Sequence, residues 1–249
     1  MTRPDNIVFV KQQGAMRTGT NLVKYALEEN FTNVRVLVNI GRWKHATAET
    51  PFNWRGTDWE GEGVSVDVAS RISREDLSAA RAAFEAGAVR FAISVRDVYS
   101  WLLSYIRFTR PDEESSLPPL KDLPQEYVVE ALQHWNTLYR GYLSLLDSGQ
   151  GAMLFRLEDL LTDFNATLNE ARSLWGLEPR HARYVRPARY LRAGVDGESR
   201  AELFESPLPF DRRQYLSDNH LAQFDDTLLA LIRRTIDGDT LRAYGYDLL

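Results

Sequence analysis

Two glycines and an arginine near the start of the chain have a spacing that suits the binding of a phosphate or sulfate group. Gly14 and Gly19 enclose Arg17, and the apolar run 7–10 precedes them. That run predicts a buried strand, and the residues from Asn21 onward have the periodicity of a helix. A strand, a glycine-containing loop and a helix, in this order, direct free backbone N–H groups and the helix dipole at one anion. The stretch therefore predicts an anion-binding loop.

This loop, which we expect to span Gln12–Thr20, departs from the ATP-binding form of the motif. The glycine spacing is kept, but Thr20 and Asn21 stand where that motif requires lysine and then serine or threonine. The lysine that reaches the β- and γ-phosphates and the hydroxyl that holds magnesium are therefore missing. Arg17 instead supplies a cation, with the Thr18 and Thr20 hydroxyls close by in sequence. A glycine turn with a solvated arginine would have the same sequence, so the rest of the chain has to decide.

A second candidate phosphate contact lies where the predicted strand 89–95 meets the helix that follows it. Arg96 ends the strand, and Ser104 comes eight residues later on the helix. A guanidinium group together with a hydroxyl suits a dianionic phosphate. A salt bridge at a strand end and a serine on a helix surface are the ordinary roles of these residues when each occurs alone.

Candidate catalytic residues follow the predicted strand 34–38. Lys44 and His45 lie early in a long polar segment, and the loops after parallel strands hold the ligand in α/β folds. Histidine suits proton abstraction near neutral pH, and lysine suits the stabilisation of a developing negative charge. Lining a solvated loop accounts equally well for both residues. Asp58 and Glu60, in the same segment, are the alternative bases.

Taken together, these patterns resemble the sulfotransferase superfamily. Its members transfer a sulfuryl group from 3′-phosphoadenosine-5′-phosphosulfate (PAPS) to a hydroxyl or amine and release 3′-phosphoadenosine-5′-phosphate (PAP). The stretch G-x-x-R-T-G-T at 14–20 resembles the loop that binds the 5′-phosphosulfate. The stretch V-R-D-x-x-x-x-x-x-S-Y at 95–105 resembles the segment that binds the 3′-phosphate. Arg156 to Leu160 is similar to a strand–helix junction of the family, in which Glu158 and Asp159 would be structural.

The resemblance implies a nucleotide-binding role for most of the candidate residues. The residues implied to bind the 5′ end are Gly14, Arg17, Thr18, Gly19, Thr20 and Asn21. Arg96 and Ser104 would hold the 3′-phosphate, and Arg192 would be a further contact from a segment similar to the nucleotide-closing loop of the family. Two positions depart from the family pattern. Leu22 replaces the tryptophan that stacks on adenine, and Ala193 replaces a lysine in the closing loop.

The resemblance also implies a mechanism, in which the acceptor hydroxyl attacks the sulfur of PAPS in line with the leaving phosphate. His45 would be the catalytic base, and Arg17 and Lys44 would stabilise the leaving phosphate. Such a reaction requires no metal ion, in contrast to phosphoryl transfer, where magnesium is central.

Composition limits the class of protein. The chain of 249 residues has a formal net charge of −5, which argues against a general nucleic-acid-binding or anionic-membrane-binding surface. It contains no cysteine, so disulfides, thiolate catalysis and cysteine-ligated zinc are excluded. No apolar run reaches the ~20 residues that a membrane span requires. We expect a cytoplasmic protein whose partner is a hydroxyl-bearing acceptor, such as a glycan or a small molecule.

The order of the elements predicts an α/β fold made of a single domain over residues 1–249. Predicted strands at 7–10, 34–38, 89–95 and 152–156 alternate with helices, and a final helix covers 219–243. Strand–helix–strand order favours parallel pairing. With the resemblance, it predicts a three-layer, P-loop NTPase-like fold in which helices flank a central parallel sheet.

Two other functions remain open. One is a divergent P-loop kinase of a small molecule or nucleotide, which the missing lysine and hydroxyl disfavour. The other is a non-catalytic nucleotide-binding module, for which His45 would be dispensable.

Overall fold

The computed structural model describes residues 6–38, 40, 43–52, 74–109, 120–149, 151–193, 203–216 and 218–249. Its centre is a four-stranded sheet with the strand order β2-β1-β3-β4, and all neighbouring strands are parallel. The strands are β1 (Val8–Gly14), β2 (Val34–Leu37), β3 (Arg90–Val95) and β4 (Ala152–Arg156). A separate antiparallel pair consists of β5 (Arg189–Ala193) and β6 (Leu203–Pro209).

Helices connect the strands of the central sheet and complete the fold. They are α1 (Thr20–Asn30), α2 (Arg74–Glu85), α3 (Val98–Thr109), α4 (Gln125–Asp147), α5 (Leu157–Thr162), α6 (Phe164–Trp175), α7 (Arg213–Leu216), α8 (Asp226–Thr235) and α9 (Gly238–Ala243). Short 3₁₀ helices cover Leu120–Asp122 and Asp218–Gln223. Within the ranges that the structure describes, no helix has both the length and the apolar character needed to cross a bilayer.

Both faces of the central sheet are buried, because successive strand residues point to opposite sides. Ile93 and Val95 pack into one cluster with apolar residues of α3, α4, α8 and α9. Ala92 and Phe155 pack into another cluster with residues of α1, α5 and α6. These helical layers on the two faces confirm the predicted three-layer α/β architecture with a central parallel sheet.

The first strand is longer than predicted. It continues to Gly14, so the loop begins at Ala15 rather than at Gln12. Gln13 pairs with Ile93 of β3, and the side chains of both glutamines are buried. Pairing with a central strand outweighs the low strand preference that their polarity implied.

The predicted final helix over 219–243 is wrong as a single element. A 3₁₀ helix, α8 and α9 replace it, because Asp225 and Asp237 each cap the start of a new helix. Their carboxylates accept hydrogen bonds from the backbone N–H groups of Leu228 (2.8 Å) and Thr240 (3.1 Å). The expected nucleotide-closing loop also begins as strand β5, and residues 194–202 lie outside the described ranges.

Candidate active site

The loop between β1 and α1, residues 15–19, lies at the carboxyl end of the sheet, where α/β folds bind ligands. Helices on one face of the sheet fix its path. The indole Nε1 of Trp101 in α3 donates to the Met16 carbonyl oxygen at 2.9 Å. The Tyr139 hydroxyl in α4 accepts from the Ala15 N–H at 3.3 Å and donates to the Ser94 carbonyl oxygen at 2.7 Å. These hydrogen bonds hold the backbone of the loop in place.

Gly14 and Gly19 are required by close contacts on both sides of the loop. A Cβ atom at Gly14 would lie 2.7 Å from the Ser94 carbonyl oxygen. One at Gly19 would lie 2.8 Å from Leu157 Cδ1, and Gly19 also has a left-handed φ of 83°. A larger residue would clash at either position, so both predicted glycines shape the loop.

The start of α1 is open to an anion. Gly19 is its N-cap, and among the described residues no side chain caps this end. Val23 is the first residue whose N–H returns to the loop, donating to the Gly19 carbonyl oxygen at 3.0 Å. The preceding helical N–H groups have no intrahelical acceptor, and the positive end of the helix dipole lies with them.

Arg17 extends from this loop toward α3. Its φ of 71° lies in the left-handed region, which is costly for a non-glycine residue and is often found at functional sites. Its Nε donates to Ser104 Oγ at 3.2 Å, and its guanidinium lies 5.2 Å from the ring centroid of Phe108. Arg17 makes no ion pair within the described part of the chain.

Arg96, at the end of β3, is a buried cation with only 7% of its surface exposed. Its Nε donates to Ser100 Oγ at 2.9 Å, and its Nη1 donates to the Arg17 carbonyl oxygen at 3.4 Å. Burial lowers its pKa, and the negative charge of Glu158 is the largest opposing influence. Even so, no carboxylate among the described residues comes within ion-pair distance. A buried charge without a counter-ion is costly, so this position suits an anionic ligand.

The structure brings Arg96 and Ser104 into one cluster through Arg17, which contacts both of them. The hydroxyl that contacts Arg96 directly is that of Ser100, which the sequence analysis missed. Its place at the start of the predicted helix, close in sequence to Arg96, was a usable signal. The joint binding of a phosphate by Arg96 and Ser104 stays a prediction.

His45 is buried beside the loop, with 8% of its surface exposed. Its Nδ1 lies 2.6 Å from the Gly14 carbonyl oxygen. Since a carbonyl oxygen can only accept, Nδ1 carries the proton of the neutral ring and Nε2 keeps its lone pair. Trp43 packs edge-on against the ring, with 4.9 Å between centroids, and the Gly14 N–H donates to the Lys44 carbonyl oxygen at 3.0 Å. These bonds connect residues 44 and 45 to the end of β1. They also leave Nε2 of His45 unprotonated.

The environment of His45 keeps it neutral. Burial is the main cause that lowers its pKa to about 3, and the positive charges of Lys44, His134 and Lys11 act in the same direction. The hydrogen bond to Gly14 acts in the opposite direction. An imidazole base must be neutral before it accepts a proton, and His45 meets this condition at pH 7.

Two lysines shape the same region. Lys44, a predicted catalytic residue, donates from Nζ to Asn21 Oδ1 at 3.1 Å and so brings a cation to the start of α1. Lys11, which the sequence analysis did not identify, is fully buried in β1. Its Nζ donates to the carbonyl oxygens of Val38 (2.7 Å) and Ile40 (3.1 Å), and these bonds fix the chain after β2.

Several predicted residues lie outside what the structure describes. They are the alternative bases Asp58 and Glu60 and the side chain of Arg192, whose backbone belongs to β5.

A cavity of about 320 Å³ lies beside α1 and is lined by both apolar and charged residues. It is lined by Leu22, Leu160, Leu161, Phe164, Arg186, Pro187, Phe210, Asp211, Arg212 and Arg213. Arg186 and Arg212 both donate to the Leu161 carbonyl oxygen, at 3.2 and 3.4 Å. The cavity adjoins the site described above, because Tyr215, whose ring centroid lies 5.3 Å from the Arg96 guanidinium, belongs to the same short helix as Arg213.

Comparisons with known proteins add a distant likeness. No protein-family model and no curated protein sequence matches the chain. Among solved structures, the chain is similar to the sulfotransferase domain of the olefin synthase from Synechococcus PCC 7002. The alignment covers 100% of this chain and 99% of that domain, with 16% sequence identity and a TM-score of 0.42. A likeness at this level assigns no function, which has to be argued from the site.

Proposed function

We propose that the protein is a PAPS-dependent sulfotransferase that transfers a sulfuryl group to an acceptor hydroxyl. The observation that supports this function best is Arg96, a buried guanidinium beside the glycine loop with no ion-pair partner among the described residues. Together with the uncapped start of α1, it gives the site two cationic centres. PAPS has two matching anionic groups, a 5′-phosphosulfate and a 3′-phosphate.

The residues present fit such a ligand. The first N–H groups of α1, with Thr18 and Arg17, would bind the 5′-phosphosulfate. Arg96 would bind the 3′-phosphate with the hydroxyls of Ser100 and Ser104, and this anion would supply the counter-charge that Arg96 lacks. A bidentate interaction of this kind is stronger than one between neutral groups.

The cavity beside α1 would receive the adenine base. Leu22 and Phe164 offer apolar contacts for a planar ring, and Arg186 and Arg212 also line the cavity. In sulfotransferases a tryptophan stacks on the adenine, and Leu22 stands at that position here. We therefore infer that Phe164 or Phe210 supplies the aromatic contact instead.

When bound, PAPS supplies an activated sulfuryl group and a phosphate on which negative charge develops as the group is transferred. Arg17 lies in the loop before α1, and Lys44 bonds Asn21 at the start of α1, so these two cations would stabilise that charge. His45 would accept the acceptor proton at Nε2. An anion beside Lys44 offsets one of the charges that depress the pKa of His45, so the base gains strength when the nucleotide is present.

Calorimetric titration in EDTA tests this proposal. We expect micromolar binding of PAP and no comparable binding of ATP, with or without added magnesium. Binding of ATP that requires magnesium would reject the proposal and favour a kinase. Binding of PAP with no release of PAP from PAPS, for any hydroxyl acceptor in a broad panel, would favour a non-catalytic nucleotide-binding module.

A further inference from the structure

Tyr215, on the short helix α7, lies against the cation that the proposed function assigns to the 3′-phosphate. The guanidinium carbon of Arg96 lies over the Tyr215 ring, 5.3 Å from its centroid, which is within the range of a cation–π interaction. Arg96 is buried, and Tyr215 is partly buried. Neither the sequence motifs nor the proposed mechanism assigns Tyr215 a role.

The hydrogen bonds of Arg96 leave one edge of its guanidinium open to a ligand. Nε donates to Ser100 Oγ at 2.9 Å, and Nη1 donates to the Arg17 carbonyl oxygen at the long distance of 3.4 Å. Among the described residues, Nη2 has no hydrogen-bond acceptor, and it is not fully buried. Nη1 and Nη2 therefore form the edge that can bind a phosphate with two parallel hydrogen bonds. Such binding requires the plane of the guanidinium to be fixed, and a ring against its face contributes to this.

Tyr215 also connects Arg96 to the cavity proposed for the adenine base. Its ring stacks on that of Phe210, with 6.0 Å between centroids and 29° between planes, and Phe210 lines the cavity. The backbone is held there, because the Phe210 N–H donates to the Ala188 carbonyl oxygen at 3.0 Å. In the nucleotide, one ribose joins the base to the 3′-phosphate. A side chain that contacts both Phe210 and Arg96 thus lies between the two sites that would bind these parts of the ligand.

The chain after α7 contacts the same end of β3. His220 belongs to the 3₁₀ helix Asp218–Gln223, and its Nε2 lies 3.6 Å from Asp97 Oδ1. Asp97 directly follows Arg96 in the sequence. Contacts on both sides of α7, at Phe210 and at His220, therefore hold the Tyr215 ring against Arg96 before a ligand binds.

We propose that Tyr215 is a positioning residue for the 3′-phosphate and that it acts through Arg96. This inference rests on the proposed sulfotransferase function. The ring fixes the plane of the guanidinium and so presents the edge formed by Nη1 and Nη2 to the phosphate. An alkyl side chain of similar size would fill the same space, but it lacks the negative face of an aromatic ring and would hold the cation less firmly.

Calorimetry with PAP and adenosine 5′-monophosphate separates this role from a purely structural one. We expect Tyr215→Leu to weaken PAP by about fivefold to tenfold, the size of a partly buried cation–π interaction, and to change the affinity for the monophosphate less than twofold. Tyr215→Phe keeps the ring and should bind PAP within about threefold of the wild type. The control is Tyr127→Leu, which removes another partly buried tyrosine at the start of α4 and should change neither affinity. Equal losses for both ligands, or an unchanged PAP affinity in Tyr215→Leu, would overturn the proposal.

A double-mutant cycle tests whether Tyr215 acts through Arg96. In the Arg96→Ala background, Tyr215→Leu should have no further effect on PAP, because the contact that it removes is already gone. A full loss in that background would mean that Tyr215 acts independently of Arg96, and the proposal would be wrong.

The contact itself is measured by NMR on ¹⁵N-labelled protein without nucleotide. The Arg96 Nε–H signal should shift in Tyr215→Leu, because the ring current of the tyrosine is lost, and should stay in place in Tyr127→Leu. A wild-type protein that binds PAP, with the same Arg96 signal in Tyr215→Leu, would reject only the role of Tyr215. A wild-type protein that binds no PAP would reject the sulfotransferase function and this role with it.

Discussion

The fold holds Arg96 and Arg17 in different ways, and this difference supports the different roles that we propose for them. Arg96 is buried and anchored to Ser100, so its position is fixed before a ligand arrives. The Arg17 side chain is exposed and contacts Ser104 and Phe108 from α3. We therefore expect its guanidinium to adjust to the position of the reacting group. A fixed cation suits a permanent anion such as a 3′-phosphate, and an adaptable cation suits a charge that develops during the reaction.

At the residue scale, Gly19→Ala tests whether the loop shape is required for binding. The added Cβ would lie 2.8 Å from Leu157 Cδ1 on a residue with φ of 83°. We expect a loss of about 1–3 kcal/mol in the free energy of unfolding and at least a tenfold weaker affinity for PAP. Gly149→Ala is a matched control, because its φ is 66° but no atom lies within 4 Å of the new Cβ. Equal PAP affinity of the two variants would contradict the account.

A second residue-scale prediction concerns pH. The pKa of His45 is about 3 in the folded protein, against an ordinary value of 6.5. Between these pH values the unfolded chain binds a proton that the folded chain does not, so stability falls as the pH decreases below 6.5. The slope from this residue approaches about 1.4 kcal/mol per pH unit.

Urea denaturation at pH 7, 6 and 5 measures this slope. We expect His45→Gln to show a shallower loss of stability than the wild type over this range. Parallel curves for the two proteins would mean that His45 is not held neutral by the fold.

At the scale of elements, three side chains, those of Asp97, Glu158 and Tyr246, stabilise the junction of β3 with α3. The Asp97 carboxylate accepts from the Ser100 N–H at 2.9 Å and so caps α3. The Asp97 N–H donates to the Glu158 carboxylate at 3.0 Å, and the Tyr246 hydroxyl donates to the same carboxylate at 2.5 Å. Glu158, which we predicted to be structural, thus connects α5 and the chain after α9 to the element that carries Arg96.

Tyr139→Phe tests how α4 supports the loop. The Tyr139 hydroxyl is fully buried and connects the end of β3 to the start of the loop. Its removal deletes the hydrogen bonds to the Ser94 carbonyl and the Ala15 N–H without leaving a large cavity. We expect the free energy of unfolding to fall by about 1–3 kcal/mol and PAP to bind more weakly. Tyr184→Phe, whose hydroxyl bonds Asn169 at an exposed position, should change neither quantity measurably.

At the scale of the whole molecule, the site lies between the two helical layers. Arg17, Ser104, His134 and the aromatic residues around them belong to the side of α3 and α4. The cavity belongs to the side of α1, α5 and α7. The loop of residues 15–19, between β1 and α1, lies between these sides at the carboxyl edge of the sheet. Under the proposed function, the nucleotide would span both sides, with its adenine in the cavity and its 3′-phosphate on Arg96 and Ser104.

The fold was predictable from sequence where the pattern is local. Apolar runs of strand length alternate with helical segments, and this order favours parallel pairing with helices on both faces. The end of β1 was not predictable, because Gln12 and Gln13 are polar and only their neighbours in the sheet make them strand residues. The final helix was predicted as one element and not as three, because Asp225 and Asp237 can cap a helix or lie within one, and sequence periodicity does not distinguish these cases.

The site was predictable where residue type and spacing carry the signal. Gly14, Gly19 and Arg96 lie where the sequence placed them, at the ends of strands and at a helix start. Lys11 and Tyr139 were not predictable, because their roles depend on carbonyl groups brought from distant segments. Buried polar side chains of this kind acquire partners only when the chain folds.

The central claim is that Arg96 binds the 3′-phosphate of the nucleotide, and the most direct test compares two ligands on two proteins. PAP and adenosine 5′-monophosphate differ only by that phosphate, so calorimetry on the wild type and Arg96→Ala isolates its contact. We predict that Arg96→Ala weakens PAP at least tenfold and changes the affinity for the monophosphate less than twofold. Arg140→Ala, which removes a surface ion pair with Asp237, should affect neither ligand. Equal losses for both ligands, or no loss for PAP, would contradict the assignment of Arg96 to the 3′-phosphate.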